Sequence, residues 1–137
     1  ALFPGIHITF VSPPQLRMKD DILEYLRMHS VPFAETEDLA ESIADAHVVY
    51  WTRIQKERLG ETVRYEEVHD RYKVDPRILS SMRADAIILH PLPRNAEVDP
   101  AIDNDPRARY FEQAGNGVPV RMALLEWALK APRQKYV

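Results

Sequence analysis

The sequence predicts an α/β fold: one doubly wound domain over residues 1–137, with a mainly parallel sheet of about four to five strands and helices on both faces. Three observations carry this. Short runs rich in β-branched and aromatic residues alternate with stretches of helical period. The pairs Ser12-Pro13, Asp75-Pro76 and Asp105-Pro106 each supply an N-cap and a first-turn proline between such runs. Two apolar runs, His47 to Trp51 and Ala86 to Leu89, break abruptly into polar or proline-rich clusters, as strands do where their carboxyl ends border a cleft.

Taken in order, Ile6 to Val11 reads as a strand by its β-branched and aromatic content. The helix expected after Ser12 places Met18, Ile22, Tyr25 and Leu26 on one buried face. Val31 to Ala34 is a second short strand. Thr36 opens a helix whose Leu39, Ile43 and Ala46 point one way, with Glu35, Glu37 and Asp38 around its first turn, where the helix dipole favours negative charge. His47 to Trp51 is a buried third strand. Glu61 to Tyr72 carries Val63, Val68 and Tyr72 among many charges and reads as a solvated helix or mobile loop. A short helix runs from Asp75 to Met82, and Ala86 to Leu89 is a fourth, fully apolar strand. Asn95 to Asp105 is a loop rich in Asp and Pro. A helix then extends to Ala114, Gly115-Asn116-Gly117 ends it, and a last helix runs from about Val118 to Lys130. That last helix is apolar on nearly all sides and calls for a second surface to pack on.

Composition narrows the function classes. A chain of 137 residues buries about two-thirds of the surface its unfolded form exposes, enough for a shielded cleft. A net charge of -3 leaves no basic excess for a phosphate backbone, which argues against nucleic acid. No apolar run approaches the roughly 20 residues that cross a bilayer, so no membrane partner is expected. Cysteine is absent, which removes disulfides, thiolate nucleophiles and Cys-based metal sites and suits a reducing cytoplasm. The five histidines form no His-x-x-x-His pair, and no metal site is expected. Glycine stands only at 5, 60, 115 and 117, so no Gly-rich nucleotide loop is present.

The candidate site lies at the two broken strand ends. After Trp51 come Thr52, Arg53, Gln55, Lys56, Glu57 and Arg58. The Arg53 guanidinium offers a planar fork that matches a carboxylate bidentately, and the Gln55 amide can donate or accept. An anionic, carboxylate-bearing ligand is the first expectation. Arg53 and Glu57, four apart, equally suit an i,i+4 ion pair on a short helix; the two readings are compatible if Glu57 steadies Arg53. The other strand ends in His90-Pro91-Leu92-Pro93-Arg94. Two prolines in three residues continue neither ladder nor helix and force a fixed turn. Pro93 has no amide hydrogen, which leaves the Leu92 carbonyl available to a ligand, and the Leu92-Pro93 bond is a candidate for the cis form. A plain loop punctuator is the alternative for the prolines alone.

These runs resemble a known family. YWTRIQKER, HPLPR and DPRARYFEQAGNG followed by VRMALL, in order between about Ile6 and Leu125, are similar to the aspartate-binding half of the aspartate carbamoyltransferases. The ornithine enzymes would show a Cys in an HCLP motif where this chain has His90-Pro91-Leu92-Pro93, and would lack the TRxQxER run. The resemblance implies that Arg53 takes a carboxylate of L-aspartate and that Gln55 helps to place it. It implies that Thr52 and Glu57 support Arg53, and that Leu92 and Pro93 touch carbamoyl phosphate through backbone carbonyls, with His90 and Pro91 in support. Arg58 and Arg94 would be structural or domain-bridging. The implied reaction transfers the carbamoyl group to the aspartate amine in pyrimidine biosynthesis, without metal or organic cofactor, in a homotrimeric cytoplasmic enzyme.

The resemblance covers one half only. The carbamoyl phosphate-binding domain, with its Ser-Thr-Arg-Thr segment, its carbonyl-polarising His and a Lys from a neighbouring subunit, has no counterpart here. A further aspartate-binding Arg ahead of the first strand is also missing. Because such donors usually supply the largest catalytic contribution, these residues alone are expected to bind aspartate weakly and not to turn over, with residues 118–130 packing on the absent domain. The alternatives are a non-catalytic aspartate-binding or regulatory module, and a carbamoyltransferase for another amino acid, which Arg53 and Gln55 disfavour.

Overall fold

The β-branched and aromatic side chains of Ile8–Val11 and Phe33–Thr36 form strands β1 and β2, which pair in parallel with Ile8 opposite Phe33 and Val11 opposite Thr36. The computed structural model describes residues 3–54 and 65–130 of the chain. Helix α1 (Asp20–Met28) makes the crossover between β1 and β2 that parallel pairing requires. It starts well after Ser12, because Pro14–Leu16 forms a separate 3-10 turn and the N-cap falls at Lys19. Its buried residues are Leu23 and Leu26, whereas Ile22 and Tyr25 are 42% and 47% exposed, so the expected buried stripe was displaced by one position around the helix. Ser30, at φ 52, turns the chain out of the helix.

Asp38 caps α2 (Leu39–Ala44) by accepting from the Glu41 amide at 3.0 Å, and Ile43 is its buried anchor. The cap is Asp38, not Thr36, whose hydroxyl oxygen instead accepts from the Asp38 amide. Strand β3 (Val48–Tyr50) follows. It was expected to be buried, but Val48 and Tyr50 are 54% and 55% exposed, and only Val49 and Trp51 turn inward. Its sole paired neighbour among the described residues is β4 (Ile87–Leu89), and Val48 and Tyr50, two apart, share the exposed face of the strand. Helix α3 (Tyr65–Arg71) realises the helical alternative over its own residues, and the part of the charged segment from Glu61 to Arg64 lies outside the described residues. Helix α4 (Pro76–Ser81) begins as the sequence predicts: the Asp75 carboxylate accepts from the amides of Arg77 and Ile78.

β3 and β4 are parallel, and Ile88 is fully buried at their centre. On its other side Ile88 exchanges backbone hydrogen bonds with Arg107 and Arg109, so a single bridge at Ala108 stands where a fifth strand would lie. The described strands thus form two parallel pairs with helical crossovers, the layering of a doubly wound α/β domain. The main core gathers around β4: Ile43, Trp51, Tyr72, Val74, Leu79, Met82, Ala86, Val98, Ile102 and Tyr110 surround Ile88.

Helix α5 runs unbroken over Tyr110–Lys130. Two helices separated by Gly115-Asn116-Gly117 were expected. The chain instead carries both glycines and Pro119 inside one helix. Proline there removes the bond to the carbonyl four residues earlier and crowds it; that residue is Gly115, where even an added Cβ would meet nothing within 4 Å. Only Tyr110 is buried along α5, and Val118, Val120, Met122, Leu124, Leu125, Trp127 and Leu129 are all more than half exposed.

Candidate functional site

The in-register pairing of Val48 with Ile87, Val49 with Ile88 and Tyr50 with Leu89 makes β3 and β4 end together. The Trp51 amide donates to the Leu89 carbonyl at 2.8 Å and carries the ladder to the last residue before both chains leave the sheet. Thr52-Arg53 and Pro91-Leu92-Pro93 therefore emerge side by side at one carboxyl edge. Trp51 is buried beneath this edge, Thr52 and Arg53 are exposed, and Ile54 turns back onto the core. Gln55 and Glu57, with Lys56 and Arg58, lie outside the described residues.

The β4 tip is tied down from within. Leu92 takes a left-handed φ of 47, a conformation that costs a non-glycine residue roughly 1–2 kcal/mol, and the Leu92-Pro93 bond is cis as the sequence suggested. The Leu92 amide donates to His90 Nδ1 at 2.9 Å. An amide can only donate, so Nδ1 is the unprotonated nitrogen and the ring hydrogen sits on Nε2. Nε2 then donates to Glu97 Oε1 at 3.0 Å, and the same oxygen accepts from the Asn95 amide at 3.0 Å. His90 and Glu97 are 2% and 1% exposed. The His90 amide donates to Gln113 Oε1 at 2.9 Å, and Gln113 Nε2 reaches the Tyr50 hydroxyl at 3.4 Å, joining α5 to both strand tips. Pro91 and Pro93 are exposed and Leu92 half-buried, so the turn itself faces outward from this buried bracing.

Arg94 holds the far side of the turn. Its guanidinium pairs with both carboxylate oxygens of Asp103 and donates to the Tyr110 hydroxyl at 3.1 Å, and it lies 5.4 Å from the Phe111 ring centre. The hydrogen bond from Arg94 keeps the Asp103 carboxyl below its usual range. Burial, then the neighbouring Asp103, pushes the Tyr110 hydroxyl up to about 12. Arg94 is thus a structural residue in this chain.

The tips of β1 and β2 border a separate hollow lined by Ser12, Pro14, Arg17, Glu35, Thr36 and Glu37. Its two carboxylates make it unsuited to an anion, and Arg17 Nε already approaches Glu35 Oε1 at 3.6 Å. Among the described residues, no group of three or more His, Asp or Glu side chains is placed to hold a metal, and no helix is long and apolar enough to cross a membrane.

The structure brings Arg53 and the Leu92-Pro93 turn, both singled out by the sequence, to one strand edge, and it adds Glu97 and Gln113, which the sequence did not single out. Glu97 lies in an acidic loop where one carboxylate looks like any other. Gln113 stands 23 residues after its partner, with no local pattern to link them.

Residues 1–128 match the family model described as aspartate/ornithine carbamoyltransferase, Asp/Orn binding domain. The chain is 48% identical over 130 residues to the chloroplastic aspartate carbamoyltransferase of Oryza sativa subsp. japonica, covering 94% of this chain and 36% of that protein. It is 48% identical over 121 residues to the aspartate carbamoyltransferase catalytic subunit of Methanosarcina mazei, covering 88% and 39%. The catalytic subunit of M. jannaschii aspartate transcarbamoylase superposes with a TM-score of 0.80 at 42% identity, over 88% of this chain and 39% of that one. The Trypanosoma cruzi aspartate transcarbamoylase in complex with carbamoyl aspartate and phosphate gives 0.77 at 33% identity, over 87% and 39%. The chain thus spans between a third and two-fifths of the length of these relatives.

Proposed function

The chain belongs to the aspartate/ornithine carbamoyltransferase family, matching its Asp/Orn binding domain, and on that premise we propose that it is the aspartate-binding half of a transferase that makes N-carbamoyl-L-aspartate. One observation carries the reading: Arg53 and the Leu92-Pro93 turn leave neighbouring parallel strands on the same edge. The absence of a cysteine in His90-Pro91-Leu92-Pro93 favours aspartate over ornithine as the acceptor, and the relatives named above are aspartate carbamoyltransferases.

In this reading Arg53 binds an aspartate carboxylate through charge-assisted hydrogen bonds, Gln55 has the role of placing the substrate, and Thr52 and Glu57 that of supporting Arg53. The Leu92 and Pro93 carbonyls accept from the amide group of carbamoyl phosphate. The aspartate α-amine attacks the carbamoyl carbon and a C–N bond forms. A tetrahedral intermediate follows, the amine loses a proton, and the C–O bond to phosphate breaks. The strand-tip residues contribute orientation, and the donors that stabilise the developing oxyanion and phosphate belong to a carbamoyl phosphate-binding domain. The exposed apolar residues of α5 between 118 and 130 are the surface on which that domain packs, and the assembled enzyme is a cytoplasmic homotrimer of pyrimidine biosynthesis. No metal or organic cofactor takes part.

The test is an assay of carbamoyl aspartate formation. These 137 residues alone are expected to bind aspartate weakly and to form no product, while a chain that joins them to a carbamoyl phosphate-binding half turns over. Product formation by the isolated chain would overturn the division of labour.

A further inference from the structure

We propose that Glu97 is a positioning residue for carbamoyl transfer, acting through the His90 ring to set the Leu92-Pro93 turn. The proposal rests on the functional reading above and adds a residue to it.

Burying a carboxylate at 1% exposure is costly unless its oxygens are well used. Packing alone would be served at least as well by an apolar side chain of similar volume. Glu97 Oε1 instead accepts from both the His90 ring and the Asn95 amide, so a single atom ties the strand before the turn to the chain after it. Its own backbone is anchored independently: the Glu97 carbonyl accepts from the Val74 amide at 2.8 Å, and the Asp99 amide donates to the Val74 carbonyl at 2.9 Å. Val74 and Val98 are fully buried. The carboxylate is therefore a fixed point relative to the core.

Fixing the carboxylate fixes the ring. With Nε2 committed as donor to Glu97, Nδ1 is left as an acceptor aimed at the Leu92 amide. That bond holds Leu92 at its left-handed φ and so sets where the Leu92 carbonyl points. Without Glu97, the Leu92 amide is the one partner among the described residues left to favour hydrogen on Nε2, and the tautomer with hydrogen on Nδ1 sets two donors against each other at Leu92. The turn would then relax. A shift of about 1 Å in a group that orients a substrate can cost on the order of a hundredfold in rate.

The experiment uses a chain that joins these residues to a carbamoyl phosphate-binding half, in three forms: unmodified, Glu97→Leu and Glu97→Gln. The Leu variant is expected to lose about a hundredfold in kcat with little change in the KM for aspartate, which Arg53 binds. The Gln variant keeps an acceptor at the Oε1 position and is expected to retain at least about a third of kcat. Nitrogen NMR of the histidine rings gives the second readout: His90 in the unmodified protein shows hydrogen on Nε2 alone, and the Leu variant loses that single tautomer. Unchanged kcat in a folded Leu variant, or a Gln variant as damaged as the Leu variant, would overturn the proposal. Should the Leu variant not fold, the Gln variant and the unmodified ring spectrum decide, and hydrogen on Nδ1 sinks it. Absence of turnover in the unmodified chain would instead count against the functional reading, and the ring spectrum would still test the role of Glu97.

Discussion

The tips of β3 and β4 lie side by side and are held in opposite ways. Beyond β4, His90 with Glu97 and Gln113, and Arg94 with Asp103 and Tyr110, form two buried to half-buried clusters that brace the turn from behind. Beyond β3, one buried Trp51 gives way at once to exposed Thr52 and Arg53. Under the proposed function, the difference suits one edge to two ligands. A backbone carbonyl is useful only if its direction is set beforehand, so its turn is locked. A long cationic side chain carries its own reach and adapts to a carboxylate, and the chain that bears it is anchored to the core on either side by Trp51 and Ile54.

The comparison can be broken from either side. Ile88→Ala, just below the locked tip, removes a fully buried side chain and is expected to cost about 3–4 kcal/mol, read as a lower urea midpoint. Arg53→Gln at the open tip is expected to lower kcat/KM for aspartate on the order of a hundredfold, equivalent to about 2.7 kcal/mol, in a two-domain chain. Arg94→Met is the converse case. It leaves Asp103 and Tyr110 without their cation, and because the pair is partly solvated we expect a loss of about 2 kcal/mol rather than the larger cost of breaking a fully buried pair.

The pH dependence sharpens the same contrast. Tyr110 has its folded pKa raised to about 12, so its contribution to stability is present below about pH 10 and is lost as pH rises through about 12. Tyr110→Phe should flatten that part of the alkaline unfolding curve. Asp103 has its folded pKa lowered by Arg94, so its contribution is present above about pH 4 and is lost as pH falls through the folded value. Arg94→Met should flatten that acid limb. The smallest effect is kinetic: amides of the exposed Val118–Leu129 stretch are expected to exchange faster than those of β4. Equal protection would show that α5 has found cover.

Much of this was legible in the chain because it is written locally. Asp75-Pro76 declared its helix, and His90-Pro91-Leu92-Pro93 declared a rigid turn, since proline acts on its own neighbours. What failed depends on partners distant in sequence. HVVYW reads as buried by composition, yet Val48 and Tyr50 are exposed, because burial of a strand face depends on what packs across it and not on the run itself. Gly115-Asn116-Gly117 reads as a helix end, yet all three residues and Pro119 lie inside one helix, where even a Cβ at Gly115 would meet nothing within 4 Å. The bracing by Glu97 and Gln113 has no periodic signature, because loop and helix are brought to His90 by packing.

The unbroken α5 makes the molecule a lever. Its 21 residues extend about 30 Å, and the described side chains are buried only at its beginning. A ten-degree tilt would carry the far end about 5 Å but move Gln113 by only about 1 Å. A body resting on the distal turns is thus geared down to fine adjustment at the His90 amide, so the span that looks idle in solvent is the one best placed to tune the turn.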